Sequence, residues 1–174
     1  MHVGILSGNP KHEPLHYGEI MHLWEMSMAA KQCVSRYQLY LNHAGDKDLK
    51  NMVEKMLEQA KQEIVECDKL LTDHGVAPAP GLPERPTEKL EDIPIGARFA
   101  DPEMGALLAA ENSASLVACS TAIGMSIRED IGALFAKYHA TKLALGMQIL
   151  RMNKEKGWLV PPPLQLKDPE PVGV

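Results

Sequence analysis

The sequence predicts an all-α fold, a four-helix bundle made of two antiparallel helical hairpins. Three observations carry this expectation. Four long segments repeat apolar residues at alternating steps of three and four. Helix-start and helix-stop residues stand at the ends of those segments. Short turns join the first segment to the second and the third to the fourth, whereas a long proline-rich stretch, GVAPAPGLPERPTEKLEDIPIGARFA, separates the two pairs.

Helix 1 is expected from about Pro14 to Asn42. Its seam is Leu23, Met26, Ala30, Cys33, Tyr37 and Tyr40, and Gly45 follows as a C′ residue. Helix 2 follows Asp46, a good N-cap, and stops at Gly75. Its seam is Leu49, Val53, Met56, Ala60, Glu63, Cys67 and Leu70.

Helix 3 opens on DPE. Asp101 is expected as N-cap, Pro102 at N1, and Glu103 suits the positive end of the helix dipole. The helix runs to about Gly124. Its single charged residue between Glu103 and Arg128 is Glu111, so the helix is expected to be mostly buried. In helix 4, SIRE reads as a capping box of Ser126 and Glu129. Its seam is Ile131, Leu134, Tyr138, Leu145, Ile149 and Met152, and Gly157 ends it.

The linker between the pairs is long enough to cross the whole bundle. Two hairpins joined by one long crossover is the ferritin-like arrangement, in which helices 1 and 4 run parallel. A single domain over residues 1–174 is expected. Residues 1–13 and 157–174 form extended ends, with Trp158 and Leu159 pinning the tail.

The bulk composition narrows the function. The chain has 174 residues, 45% apolar and 24% charged, with a formal net charge of -5. An acidic chain without a Lys/Arg cluster is not expected to bind nucleic acid or an anionic membrane. Cys33, Cys67 and Cys119 are odd in number and lack CxxC spacing, so reduced, buried thiols in a cytoplasmic protein are expected. MHVGILSGNPKHEP has neither the basic nor the apolar region of a signal peptide. No run approaches the length of uncharged apolar sequence that crosses a bilayer, so no membrane span is expected.

HYGEIMHLWE, residues 16–25, places His16, Glu19, His22 and Glu25 at steps of three. Each step rotates the position by about -60°, so the four cannot face one point. The seam of helix 1, continued backwards, selects Glu19 and His16 as the inward pair, near the open end of the bundle; the opposing reading is that they are polar groups at a frayed, solvated end.

A second set comes from comparing heights. If the hairpins turn near Gly45 and Met125, Met26 faces Ile64 and Glu111 faces His139. Glu25, Glu63, Glu111 and His139 then share a layer. Glutamate and histidine at such a layer are the ligands of two-metal bundles, which need a Glu on two helices and Glu-x-x-His on the others. Here helix 2 offers Glu63-x-x-Glu66 and helix 4 offers Ala136-x-x-His139, so the set is incomplete. Glu63, Glu111 and His139 are the candidate metal ligands, for iron or manganese, with His16 and Glu19 as a second pair. The opposing reading is a buried pair, Glu111–His139 or a glutamate with Lys142, that fixes helix register.

The chain also resembles a known family. ILSGNPKHEPLHYGE, LPERP, IPIGARFADPE, SIREDIG, KYHATK and KEKGWLVPPP are similar to segments of a ferritin-like domain of unknown function from spore-forming bacteria. Members of that family are labelled spore-coat-like. The resemblance implies the bundle fold and a link to sporulation, and no reaction. Larger members look like two such bundles in one chain, which leads to the expectation of a homodimer here.

Three functions follow as expectations. The first is a non-enzymatic or weakly metal-binding bundle associated with the spore. The second is a metal-dependent oxidoreductase with an incomplete ligand set. The third is a bundle that binds a small apolar ligand between Tyr37, Tyr138 and the methionines. The residues name neither a substrate nor a small-molecule ligand.

Overall fold

The computed structural model describes residues 13–165. The segment ILSGNPK, most of the expected N-terminal extension and the tail beyond residue 165 lie outside the described residues. Among the described residues there are four α-helices and no strand: α1 Tyr17–His43, α2 Lys47–Asp73, α3 Asp101–Met125 and α4 Glu129–Glu155. Each helix packs most extensively against its hairpin partner.

Two ends define the molecule. The C-terminal end of α4 meets the α1–α2 turn, where the Lys156 ammonium lies 2.7 Å from Asp46. The start of α3 is at the same end. The Asp101 carboxylate accepts from the backbone N–H groups of Gly45 and Asp46, both at 2.9 Å. At the other end, the Glu19 carboxylate of α1 accepts from the N–H groups of Ile127 (2.9 Å) and Arg128 (2.8 Å) in the α3–α4 turn. Thus α1 and α4 run in one direction, and α2 and α3 in the other. Residues 74–100 link α2 to α3 along α1. Lys31 donates to Ala79 O, Arg85 to Ser35 O, and Asn42 to Pro86 O in succession.

Local signals explain the helix ends, with three corrections. Asp46 caps α2 as expected, accepting from the N–H groups of Asp48 and Leu49. Gly75 (φ 74°) and Gly157 (φ 70°) follow α2 and α4 in the left-handed conformation that other residues avoid. The first correction concerns α1, which starts at Tyr17 rather than Pro14, with His16 as N-cap. Its Nδ1 accepts from Gly18 N–H at 2.9 Å, and Glu19 accepts from His16 N–H at 3.1 Å. This end is a closed capping box rather than a frayed one. The second correction is that Ala100, not Asp101, is the N-cap of α3. The Asp101 carboxylate is engaged by the opposite turn instead. The third is that the Ser126–Glu129 box does not form, and Arg128 is the N-cap of α4. Ser126 Oγ donates back to Ala122 O at 2.7 Å and closes α3.

The core has two halves. One surrounds Tyr37, Tyr40, Leu49, Val53, Met104, Leu108 and Ile149, near the α1–α2 turn. The other surrounds Leu23, Cys67, Leu71, Ile131, Phe135 and Tyr138. Burying each large side chain contributes roughly 1.5–3 kcal/mol. Trp158 packs on the first half as expected, whereas Leu159, expected to pin the tail with it, is exposed.

One expectation about burial fails. In the most apolar stretch of α3 only 22% of the residues are buried, although its length and composition would suit a membrane span. Asn112, Cys119 and Ala122 face the core, while Leu107 and Val117 face out. A bundle helix buries the stripe that meets its neighbours and no more, whatever the composition of its other face.

Candidate functional site: the polar layer between the core halves

Between the two core halves lies a layer of polar groups. Glu63 of α2 and Lys142 of α4 are 2% and 8% exposed. Their charged atoms are 2.6 Å apart. Gln59 donates to Glu63 Oε1 at 3.0 Å, one turn along α2. Asn112 of α3 donates to the backbone carbonyl of Lys142 at 3.0 Å. Gly146 permits that approach, because a Cβ there would lie 2.6 Å from the Asn112 amide nitrogen. A cavity of about 30 Å³ adjoins the layer and is lined by Cys33, Tyr37, Glu63, Asn112 and Lys142 among others. Burial raises the pKa values of the Cys33 thiol and of the Tyr37 phenol, so both stay protonated.

Glu63 lies in this layer as expected, but it is paired with Lys142, as in the opposing reading, and not joined by Glu111 and His139. The α3–α4 turn is residues 126–128, centred on 127 rather than 125. Asn112 and Lys142 are equally distant in sequence from that centre and face one another. The displacement of the turn shifts the pairing by about one helical turn. His139 is half-buried one turn from the layer, and among the described residues no hydrogen bond or ion pair joins it to Glu63 or Glu111.

Glu111 points to a different neighbour. Its Oε1 lies 2.5 Å from Arg36 Nη1 of α1 and 3.5 Å from the Tyr40 hydroxyl. Its Oε2 is buried and has no hydrogen-bond partner among the described residues. Glu25 is exposed, with His22 4.0 Å away. Among the described residues, no group of three or more His, Cys, Asp and Glu side chains is arranged to hold a metal ion. Glu63, Glu111 and His139 are not brought together as a ligand set. His16 and Glu19 are adjacent, at 3.8 Å, but both serve as caps.

Further ties cross the other helix contacts. Lys31 pairs with Asp68 at 2.7 Å, and Ser27 also donates to Asp68, between α1 and α2. Glu66 of α2 accepts from Lys137 and, at 2.7 Å, from the Tyr138 hydroxyl of α4. Desolvation pushes the Glu66 carboxyl up, but these donors outweigh it and hold its pKa below the usual value. Beside Tyr138, burial pushes the Cys67 thiol up to about 12, which keeps it protonated. Arg128, another buried charge, reaches Glu13 O and His74 Nε2, both at 2.9 Å, and pairs with Asp130 at 2.8 Å. Sequence periodicity placed Glu63 and Lys142 on the inward faces, but not the Arg36–Glu111 or Arg128–His74 contacts. Those depend on which flanks meet.

The arrangement ties α2, α3 and α4 to one another at one height. The Glu63 carboxylate is engaged at Oε1 by the Lys142 ammonium and the Gln59 amide, which offset its charge within the layer. The cavity is about a tenth of the size of small-molecule pockets and suits a single water.

Known proteins are similar to this chain in sequence or in shape. A Bacillus subtilis (strain 168) protein called YvdQ, uncharacterised, is 51% identical over 165 residues, covering 95% of this chain and 97% of that one. The crystal structure of a candidate spore coat protein from Bacillus halodurans C-125 superposes with a TM-score of 0.89. It is 42% identical and covers 91% of this chain and 100% of that one. A DUF305 fragment from Deinococcus radiodurans shares the fold alone, at a TM-score of 0.65 and 12% identity, over 82% of this chain and 99% of that one. The family model described as protein of unknown function (DUF3231) matches residues 3–170, and the chain belongs to that family.

Proposed function

We propose that this protein is a non-catalytic structural bundle associated with the bacterial spore. The buried Glu63–Lys142 pair carries the non-catalytic part. It engages the most buried carboxylate of the layer with a partner across the bundle, where a metal centre or an acid–base catalyst needs it free. The link to the spore draws on the Bacillus halodurans relative, itself named as a candidate spore coat protein.

Elemental analysis of untagged protein, purified without chelator and then challenged with iron and manganese, tests the first part. The expected result is no metal near one per chain. One or two iron or manganese ions per chain would replace the reading with a metal-dependent oxidoreductase that uses Glu63, Glu111 and His139 after Lys142 has moved away. A fluorescent fusion in sporulating cells tests the second part. Signal collected at the developing spore is expected, and an even signal throughout vegetative and sporulating cells would overturn it.

A further inference from the structure

The outer face of the α3–α4 hairpin is the least explained surface of the molecule. Val117 is 68% exposed, Met147 61% and Leu143 51%. Leu150, 38% exposed, adds to the apolar surface of α4. Between Glu103 and Arg128 the single charge on α3 is Glu111, already paired with Arg36 at the α1 flank. Helices of 25 and 27 residues are about 40 Å long. Side by side at about 10 Å, they present a face of roughly 800 Å², the area each partner gives to a stable interface.

We infer that a second copy of this chain covers this face, related by a two-fold axis parallel to the helices. The face has the complementarity to itself that such a dimer requires. The α3 side is lined by small exposed residues, Ala106, Ala110, Ser113 and Ser120, which leave room for a close neighbour. The α4 side carries the larger Leu143, Met147 and Leu150. The proposed axis lays α3 of one copy over α4 of the other, so the large side chains meet the small ones.

The axis also matches charges. Glu103 and Arg151 are both exposed. They are equally distant in sequence from the centre of the α3–α4 turn, so they stand at the same height. The axis preserves height and sets Glu103 of one copy against Arg151 of its partner, twice per dimer. A two-fold axis at right angles to the helices would bring Glu103 over the uncharged end of the partner's α3 instead. A lipid surface fits less well. α3 has no basic residue to meet anionic headgroups, and on α4 the exposed Arg151 and Lys154 stand together at one end of the face. Its inner residues Met104, Leu108 and Cys119 are already fully buried in the bundle.

The inference does not depend on the spore-associated role. Its test is sedimentation velocity on the full chain. A species of twice the 19.1 kDa chain mass is expected. Val117→Lys and Met147→Lys are each expected to give the 19.1 kDa monomer with unchanged helical circular dichroism, since both side chains are exposed in one chain. Arg151→Glu should weaken the dimer about tenfold, and adding Glu103→Arg should restore it. A wild-type monomer at about 100 µM would overturn the inference. So would a dimer that survives both lysine variants, or an Arg151→Glu defect not restored by Glu103→Arg. A monomer that co-sediments with phosphatidylglycerol vesicles would overturn it in favour of a lipid surface.

Discussion

The two hairpins have opposite outer surfaces. On the α1–α2 hairpin, residues 74–100 lie along α1 and hydrogen-bond to Lys31, Ser35, Gln38 and Asn42. The outer face of α2 is charged, with Glu54, Lys55, Glu58 and Lys61 exposed. Among the described residues, α3 has no exposed charge between Glu103 and its end at Met125, whereas α4 exposes Lys137, Arg151, Lys154 and Glu155. Its inner face, by contrast, is tied as firmly as that of the first hairpin, through Asn112, Lys142 and Glu19. Internal stability and outer solubility are thus set by separate residues. The inside of both hairpins is locked by polar ties, and the outside differs because one linker covers one helix.

Breaking the tie between the hairpins should have the largest effect. Lys142→Met leaves the Glu63 carboxylate buried without its cation and should cost about 3–5 kcal/mol in urea unfolding. Glu63→Leu combined with Lys142→Met should recover most of that loss. A double variant as unstable as the single one would show that the pair does more than offset its own burial.

Glu19→Gln comes next. It weakens the acceptor for His16, Ile127 and Arg128 N–H groups and should cost about 1.5–3 kcal/mol. Hydrogen exchange should then rise first in residues 126–128 and at the start of α1. Exchange rising first in the α1–α2 turn would contradict the assignment of Glu19 as the clip of the second hairpin.

Glu111→Gln should cost more than Glu25→Gln, about 0.5–1 kcal/mol against a value near zero, since Glu111 alone pairs across helices. Equal thermal shifts would mean that the Arg36–Glu111 contact contributes nothing to joining α1 to α3.

Acid should act on the clips at both ends. A hydrogen bond from Lys156 holds the Asp46 carboxyl below its usual pKa, and one from Arg128 does the same for Asp130. A depressed folded pKa gives stability that is present above the ordinary carboxylate value. It is lost as pH falls through the folded one, here below about pH 4. Asp46→Asn and Asp130→Asn should each flatten that acid limb in melts between about pH 5 and pH 2. The smallest effect belongs to the bare face. Val117→Ser should change the stability of the single chain by less than about 0.5 kcal/mol.

The sequence by itself determined the helices, their pairing and most of their inward faces. The apolar steps that select Leu23, Met26, Tyr37, Val53, Cys67, Ile131 and Ile149 are local and survive any choice of neighbour. Asp46, Gly75 and Gly157 act within one turn of the chain, so their roles were legible too. Tertiary structure decided whatever depended on which flanks meet and at what height. Asp101 reads as a local cap, yet it serves the opposite turn. Ser126 and Glu129 read as a box, yet Glu19, far away in sequence, fastens that turn. A turn displaced towards the C-terminus replaced Glu111 and His139 with Asn112 and Lys142 in the central layer. Periodicity fixes which face of a helix turns inward, but height along the bundle is set by turn geometry and packing, and one helical turn exchanges every cross-bundle partner.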